Sequence, residues 1–374
     1  MQSRNHLSVI RRKRGIAVVT LAAQVGVTRQ TIYAIEAGSY VPNTLVALRL
    51  AQALEVSVED LFALDGDAPV TAPGEHVADL LVPSQRELLQ ANQPVCLGRV
   101  GGRVVAVPVS PIPVGLPKAD GVIRKIHPLH RGTVQPLSAE ALGSGSLVVA
   151  GCDPGMSVLA RQLSQHSEIQ LIVAPCSSSQ ALRWLKERRI HIAGTHLQDE
   201  STGESNLPAV RKLFPRGGYR VITFANWEEG LVVERGNPKR IRRLEDLSRK
   251  GVRFINRERG AGSRFLLDGL LHKQGIAAAT IQGYERNASG HIAAAWSVYS
   301  GEVDCCIAVR AAAQAFGLAF VPLVAERYDL IVPEAHLDLQ GVQVLLDVLN
   351  RSSLKRELEA LGGYDTSQTG RVVV

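Results

Sequence analysis

Residues 18–36, VVTLAAQVGVTRQTIYAIE, constrain the fold of this chain more than any other stretch. Leu21 and Val25 recur at helical spacing and predict a first short helix with one apolar face. Gly26 has no Cβ and therefore accommodates a tight turn, and Thr28 is a residue type that caps the N-terminus of a second helix. The stretch predicts two short helices that are joined by a tight turn and pack their apolar sides together.

This stretch resembles the helix-turn-helix domain of the phage-repressor-like (XRE) regulators, and the resemblance extends over residues 7–64. It rests on the segments GVTRQTIYAIEAG, LRLAQAL and VEDLF and on Pro42. It implies an all-α domain at residues 1–64 whose second motif helix enters the major groove of double-stranded DNA. The side chains that we expect at the DNA are Thr28, Arg29, Gln30, Thr31, Tyr33, Tyr40 and Asn43.

Charge and composition agree with such a partner. The formal net charge of +7 is compatible with nucleic-acid binding. The densest early basic cluster is Arg11–Arg14, which beside a helix-turn-helix we expect to contact phosphates. We find no signal-peptide pattern and no apolar run of about 18 residues, so we expect a cytoplasmic protein. The five cysteines form no CxxC pair, and we predict neither a metal site nor a cofactor.

The middle of the chain carries a different pattern. Residues 65–75 are polar and contain proline, which is typical of a linker. Two apolar runs within residues 94–108 flank Gly101-Gly102, and this arrangement predicts a β-hairpin. We interpret residues 76–143 as a small β-rich connector, in which no motif of known chemistry is present.

Residues 144–374 alternate between strand-like and helical patterns, which indicates an α/β fold with a largely parallel sheet. Two such series flank the strand-rich segment YRVITFANWEEGLVVERG. This order resembles the two-lobed type 2 periplasmic-binding-protein fold. The segments FINRERGAGSRFLLD, SGHIAAAWSVYSGEVDCCIAV and GYDTSQTG resemble, more narrowly, the binding-protein-like domain of molybdate-associated regulators. We therefore expect a multidomain chain with an all-α domain, a β-rich connector and a two-lobed ligand-sensing domain.

Three segments that contain serine or glycine follow strands and precede helices: Ser177–Ser179, Gly260–Ser263 and Ser289–Gly290. Backbone N–H and hydroxyl groups at helix N-termini bind oxyanions, although the same residue types also serve as ordinary N-caps. Ligands of this fold class bind beyond the carboxyl ends of the strands. The ligand-binding residues that we expect are Asp153, Ser177, Ser178, Thr195, Gly262, Ser263, Arg264, Ser289 and His291.

Charged residues in this region leave the ligand open. Arg264 is suited to a charge-assisted bond with an anion, or else to an ion pair with Asp268 one turn later. Asp153 and Glu200 lie at similar strand ends, where they would repel an anion and suit a ligand with amine or hydroxyl groups. An oxyanion and an organic ligand therefore remain alternatives.

The two resemblances together imply a ligand-responsive transcription regulator that acts as a homodimer on a DNA operator. Its effector would be a molybdate- or tungstate-like oxyanion or an organic metabolite, and a large domain that binds only a protein partner is a further alternative. An enzyme is the interpretation that we favour least, because GxSxG, HExxH and P-loop motifs are absent. Cys152 and Cys176 follow strands, but no base is marked near either of them in the sequence.

Overall fold

The computed structural model describes residues 3–54, 56, 58–64, 74–82, 89–109, 118–128, 130–143, 145–199 and 202–374. The chain divides into two compact units, residues 1–74 and 75–374. Most of the predicted linker, residues 65–73, lies outside the described residues. Among the residues that are described, no helix is both long enough and apolar enough to span a bilayer.

The first unit is mainly helical. Its helices are α1 (Leu7–Lys13), α2 (Val18–Val25), α3 (Arg29–Glu36), α4 (Thr44–Leu54) and α5 (Val58–Leu61), and the antiparallel strands β1 (Ser3–Asn5) and β2 (Phe62–Leu64) pair beside them. Gly26 follows α2 with a left-handed φ of 77°, and the hydroxyl of Thr28 accepts the backbone N–H of Thr31 at 3.1 Å. The predicted turn and N-cap are therefore confirmed. Leu21 and Ile32 are fully buried between α2 and α3.

The second unit begins with a closed barrel. Its strands are β3 (His76–Leu80), β4 (Pro94–Val100), β5 (Arg103–Pro108), β6 (Gly121–His127) and β7 (Arg131–Pro136), in the order β3-β5-β4-β6-β7. Strands β4 and β5 form the predicted hairpin around Gly101 and Gly102. The barrel packs against the α/β part of the unit, and the approach is so close that a Cβ on Gly98 would lie 2.7 Å from Val148.

The α/β part of the second unit contains one long mixed sheet, in the order β13-β12-β14-β11-β15-β10-β8-β9, with β16 paired to β11. Its strands are β8 (Ser146–Gly151), β9 (Gln170–Pro175), β10 (Ile192–Thr195), β11 (Tyr219–Val233), β12 (Phe254–Arg257), β13 (Asn287–Ala288), β14 (Cys305–Val309), β15 (Ala319–Pro333) and β16 (Tyr364–Asp365). Its helices are α6 (Met156–His166), α7 (Ser178–Lys186), α8 (Leu207–Leu213), α9 (Gly262–Lys273), α10 (His291–Tyr299), α11 (Arg310–Ala315), α12 (Gln340–Leu349) and α13 (Ser352–Ala360).

Two antiparallel strands of 15 residues each, β11 and β15, run through the middle of this sheet. The parallel strands β8, β9 and β10 flank one end of the pair and form the first lobe. Strands β12, β13 and β14 flank the other end and form the second lobe. The pairing register of β11 with β15 shifts between Thr223 and Ala225 and again between Glu229 and Gly230, so the middle of the pair is irregular where the lobes meet.

Candidate functional site

Helix α3 presents polar side chains on the side that faces away from the core of its unit. Arg29 and Gln30 are exposed in the first turn and Tyr33 is 57% exposed, whereas Ile32 and Ile35 are fully buried. Arginine and glutamine are suited to bidentate hydrogen bonds with guanine and adenine in the major groove. The helix therefore has the features of a recognition helix.

The other predicted DNA contacts lie around this helix. Thr28 is exposed and caps α3, and Thr31 is half-buried beside it. Tyr40 and Asn43 are exposed in the segment between α3 and α4. The Oδ1 atom of Asn43 accepts the backbone N–H of Val46 at 2.9 Å, so this side chain also caps α4.

The prediction that Arg11 contacts phosphates together with its basic neighbours is wrong. Its guanidinium is buried, and its Nε and Nη2 atoms donate to Glu36 Oε1 at 2.6 Å and Oε2 at 3.2 Å. Its Nη1 atom donates to the carbonyl of Ile16 at 2.9 Å. A run of four basic residues in the sequence does not show which of them faces the core. In the structure Arg11 faces the core, and Arg12 and Arg14 are exposed.

In the second unit, polar side chains from both lobes meet at the middle of β11 and β15. Each of them is at most 9% exposed. Two follow strands of the first lobe, two lie on the long strands, and two come from the second lobe. These six residues, which we call the cleft cluster, are Cys152, His196, Glu229, Glu326, Arg257 and His291.

His196 is the centre of the cleft cluster. Its Nε2 atom lies 3.3 Å from Cys152 Sγ, and its Nδ1 atom lies 3.0 Å from Glu326 Oε2 and 3.6 Å from Glu229 Oε2. The ring packs edge-on against the indole of Trp227, with 5.0 Å between ring centroids. The imidazole is thus fixed between a thiol on one side and two carboxylates on the other.

Arg257 brings a positive charge into the cleft cluster, but that charge is already paired. Its Nε and Nη2 atoms donate to the carboxylate of Glu258 at 3.0 and 3.2 Å, and its Nη1 atom donates to Ser263 Oγ at 3.4 Å. The side chain of Arg257 is fully buried. The guanidinium therefore has an acidic partner that lies outside the cleft cluster.

The pKa values of the ionisable groups in the cleft cluster reflect their burial. Burial raises the pKa of Glu229 well above its ordinary value, and the neighbouring Glu326 raises it further. Burial lowers the pKa of His291 well below its ordinary value, with Arg257 and His196 acting in the same direction. Burial also opposes the charged form of His196, but Cys152 and Glu229 outweigh it and raise the pKa of this imidazole.

Three of the predicted ligand-binding residues lie at strand ends of the first lobe. Ser177 Oγ caps the first turn of α7, and Ser178 Oγ accepts the backbone N–H of His196 at 3.2 Å. Thr195 Oγ1 donates to Asn206 Oδ1 at 2.9 Å. Of these three hydroxyls, only that of Ser178 has a hydrogen bond to a cleft-cluster residue among the described contacts.

The predicted residues of the second lobe divide into two groups. Gly262 and Ser263 begin α9 beside the cleft cluster, and a Cβ on Gly262 would lie 2.2 Å from the carbonyl oxygen of His196. Arg264 instead donates to Asn287 Oδ1 at 2.9 Å, within its own lobe. Ser289 is exposed.

Of the two acidic residues that we predicted near the ligand, the structure describes only Asp153. Asp153 is buried, and its Oδ1 atom accepts the backbone N–H of Gly155 at 2.6 Å and the hydroxyl of Tyr364 at 2.5 Å. Burial raises the pKa of Asp153 to about 7 against these two hydrogen bonds. Glu200 lies outside the described residues.

Sequence reasoning missed five members of the cleft cluster as ligand-binding residues: Cys152, His196, Glu229, Arg257 and Glu326. They come from five segments that are distant in the chain, so no local spacing connects them. One signal was available, because Glu229 directly precedes Gly230–Val233, the apolar end of its strand. A carboxylate at such a position requires a partner that the sequence alone does not identify.

Comparisons with known proteins match the helix-turn-helix part and the α/β part of the chain separately. A family profile described as a PBP superfamily domain matches residues 160–350. A second profile, described as a helix-turn-helix, matches residues 7–61.

The relatives match each part in turn. The uncharacterized protein YvgK of Bacillus subtilis is 32% identical over 240 residues, which are 64% of this chain and 77% of that protein. An uncharacterized HTH-type transcriptional regulator of Methanothermobacter thermautotrophicus is 48% identical over 58 residues, which are 15% of this chain and 84% of that protein. Among solved structures, the sulfate-binding protein SubI of Mycobacterium tuberculosis covers 59% of this chain, and the match spans 86% of that protein, at 17% identity and a TM-score of 0.45.

Proposed function

This chain belongs to the family defined by the PBP superfamily domain and carries a helix-turn-helix domain of the XRE type, and we propose on that basis that it is a transcription regulator controlled by a small ligand. The observation that carries the proposal is the cleft cluster, to which both lobes contribute buried polar side chains. In this proposal the protein acts in the cytoplasm, as a homodimer on a double-stranded DNA operator.

The ligand acts by its different affinity for two arrangements of the lobes. A ligand that contacts Cys152 and His196 in the first lobe and His291 in the second gains all its contacts only when the lobes are closed. Binding shifts a conformational equilibrium only through such a difference in affinity. We propose that the closed arrangement changes the affinity of the dimer for its operator.

A molybdate- or tungstate-like oxyanion is our first candidate for the effector. Helices α7 and α9 begin beside the cleft from opposite lobes, with Ser178 and Ser263 in their first turns. Helix N-termini supply backbone N–H groups and a favourable dipole to an anion. These features favour an oxyanion.

A cationic or amine-bearing ligand is the second candidate. Glu229 and Glu326 lie within the cleft cluster and would repel an anion while they are ionised. A cavity of about 240 Å³, lined in part by Glu326, Gly262 and Phe265, adjoins the cluster and offers room for a small ligand.

A thermal-shift screen of the full chain tests ligand binding. We expect at least one compound among molybdate, tungstate, sulfate, phosphate and a set of small amines to raise the melting temperature. A ligand at 100 times its Kd stabilises the native state by about 2.7 kcal/mol. Ser263→Ala should weaken the shift with an oxyanion, because Ser263 lies in the first turn of α9 beside the cleft, whereas Ser300→Ala, an exposed serine of the same lobe, should preserve it. No shift with any compound would contradict a ligand-binding large domain.

Changes in α3 test DNA recognition. Arg29→Ala and Gln30→Ala should each weaken binding to a selected operator by about 1–3 kcal/mol, because each removes hydrogen bonds to a base edge. Titration of labelled operator DNA, selected from a random pool with the wild-type protein, measures this loss. Gln24→Ala, an exposed glutamine of α2, is the matched control and should bind as wild type does. Wild-type affinity in both α3 variants would place base recognition elsewhere.

A further inference from the structure

We propose that the cleft cluster binds a divalent transition-metal ion, with Cys152 Sγ, His196 Nε2 and one ring nitrogen of His291 as its ligands. The inference deepens the proposed function, since the ion would occupy the effector cleft. It rests on the proposed function only for the consequence at the DNA, because metal binding itself is measured separately. The sequence carries no metal-binding spacing here, since the three residues come from separate segments.

The positions of the three ligand atoms suit a metal ion. One atom each from Cys152, His196 and His291 lie within 4.8 Å of one another. Zn²⁺ binds thiolate sulfur at about 2.3 Å and imidazole nitrogen at about 2.0–2.1 Å, which separates the two atoms by about 3.5 Å in a tetrahedral site. The observed separation between Cys152 Sγ and His196 Nε2 is 3.3 Å. A small adjustment therefore accommodates an ion.

His291 supplies an independent observation. The side chain is 1% exposed, and neither ring nitrogen has a hydrogen-bond partner among the described residues. A buried polar group without a partner is costly, and such groups are rare in folded proteins. A metal ion would bind one of the two nitrogens and so remove part of this cost.

The surroundings of His196 match those of a metal-bound histidine. Its Nδ1 atom, which would carry the proton, lies 3.0 Å from Glu326 Oε2. This arrangement leaves the lone pair of Nε2 directed toward Cys152. Metal-binding histidines almost always donate their second N–H to a carboxylate, a carbonyl or water, which fixes the tautomer and raises the basicity of the ligand nitrogen.

The charges of the cleft cluster also favour a cation. Arg257 is paired with Glu258, so its charge is balanced locally. Glu229 and Glu326 are the acidic groups of the cluster, and both side chains are buried. Neither oxygen of Glu229 has a hydrogen-bond partner by distance and angle among the described residues, and its nearest histidine nitrogens lie at 3.6 and 3.9 Å. A divalent ion would supply a permanent positive charge beside these two acidic groups.

The donor set selects the class of ion. A thiolate with two imidazoles suits Zn²⁺, Co²⁺ or copper, whereas Mg²⁺ and Ca²⁺ prefer oxygen ligands. Three protein ligands leave a fourth position open for water or another small molecule. Two ligands belong to the first lobe and one to the second, so a bound ion would connect the lobes.

Co²⁺ is the probe for this site. We expect the full chain, purified and treated with a chelator, to bind one Co²⁺ per chain, with visible bands of tetrahedral cobalt and a thiolate-to-cobalt charge-transfer band. Zn²⁺ should displace it. Cys152→Ser should abolish the charge-transfer band, and His291→Ala should weaken binding strongly. Glu326→Gln should lower the affinity by about 10–100-fold through His196.

Two control variants are included in the test, and three results would overturn the proposal. Cys176→Ser changes a buried cysteine at the end of the neighbouring strand, and His272→Ala changes an exposed histidine, so both should bind Co²⁺ as wild type does. Circular dichroism of Cys152→Ser and His291→Ala should match the wild-type spectrum. Absence of the charge-transfer band in the wild type, or its persistence in Cys152→Ser, would overturn the proposal. Rapid alkylation of Cys152 that Zn²⁺ does not slow would also overturn it, and would point to a nucleophile instead.

Operator titration with and without Zn²⁺ separates this inference from the proposed function. Cobalt binding through Cys152 together with unchanged operator affinity would support the metal site and contradict its role as effector. Operator binding that responds to an oxyanion in a chain without cobalt binding would support the regulator and overturn the metal site.

Discussion

Replacement of Arg11 by alanine is expected to destabilise the helix-turn-helix unit by about 3–5 kcal/mol, because it leaves the carboxylate of Glu36 without its cation. The pair is nearly buried, and it links α1 to the C-terminal end of the recognition helix through two hydrogen bonds. The third hydrogen bond, to the carbonyl of Ile16, would be lost as well. The recognition helix α3 should therefore lose this contact with α1, and the free energy of unfolding of the unit should fall.

Amide hydrogen exchange of the full chain measures the loss of stability in Arg11→Ala. Protection of the amides in α1–α3 should fall, and protection in the second unit should equal that of the wild type. All three tryptophans, Trp184, Trp227 and Trp296, lie in the second unit, so their fluorescence is an internal control. Arg12→Ala, an exposed change on the same helix, should alter stability by no more than about 0.5 kcal/mol. Equal protection in the Arg11 and Arg12 variants would contradict the structural role of the buried pair.

Replacement of Gly151 by alanine is expected to destabilise the second unit by about 3 kcal/mol through overpacking. A Cβ at this position would lie 2.1 Å from the hydroxyl oxygen of Tyr328, and the next atoms are more than 3 Å away. Tyr328 is fully buried among the rings of Phe224, Trp227 and His196 and has no room to move aside. Tyr328→Phe removes the clashing atom, so it should recover most of the loss in the double variant.

Gly194 is a second glycine that lies against Tyr328, and it serves as the comparison in this test. A Cβ there would meet the hydroxyl of Tyr328 at 2.0 Å and also its ring carbons at 2.6 and 2.7 Å, so Tyr328→Phe should rescue Gly194→Ala poorly. Gly341→Ala, where the nearest atom lies at 3.5 Å, should leave stability unchanged or slightly higher. Urea unfolding followed by tryptophan fluorescence gives the free energies of unfolding. Equal rescue at Gly151 and Gly194 would contradict the assigned clash.

The sequence was sufficient for those features that depend on neighbouring residues. The turn at Gly26, the cap at Thr28 and the hairpin at Gly101-Gly102 each follow from residue types a few positions apart, and the structure has all three. The two-lobed α/β fold was also predictable, because strand and helix patterns alternate over a long segment and resemble a known family.

The cleft cluster was not predictable in the same way. His196, Glu229 and Glu326 are brought together by the pairing of β10, β11 and β15, and no local pattern encodes that pairing. The prediction favoured serines at helix N-termini, because these have a known local chemistry. Ser177 and Thr195 prove to be occupied by hydrogen bonds within the first lobe, and burial, which decides the chemistry of Arg11 and Arg257, is a property of the fold.

The long strands β11 and β15 also determine how the lobes are able to move. A connection of two adjacent hydrogen-bonded strands bends and twists as a ribbon, whereas two separate loops would allow free rotation. The register shifts at Thr223 and Glu229 concentrate that bending near the middle, because such irregularities curve a strand locally. Strand β16 adds a third strand at Asn226 and Trp227 and stiffens the segment between the two shifts. In the proposed opening of the cleft, this ribbon would change its curvature, and Glu229 lies on the ribbon at one of the two register shifts.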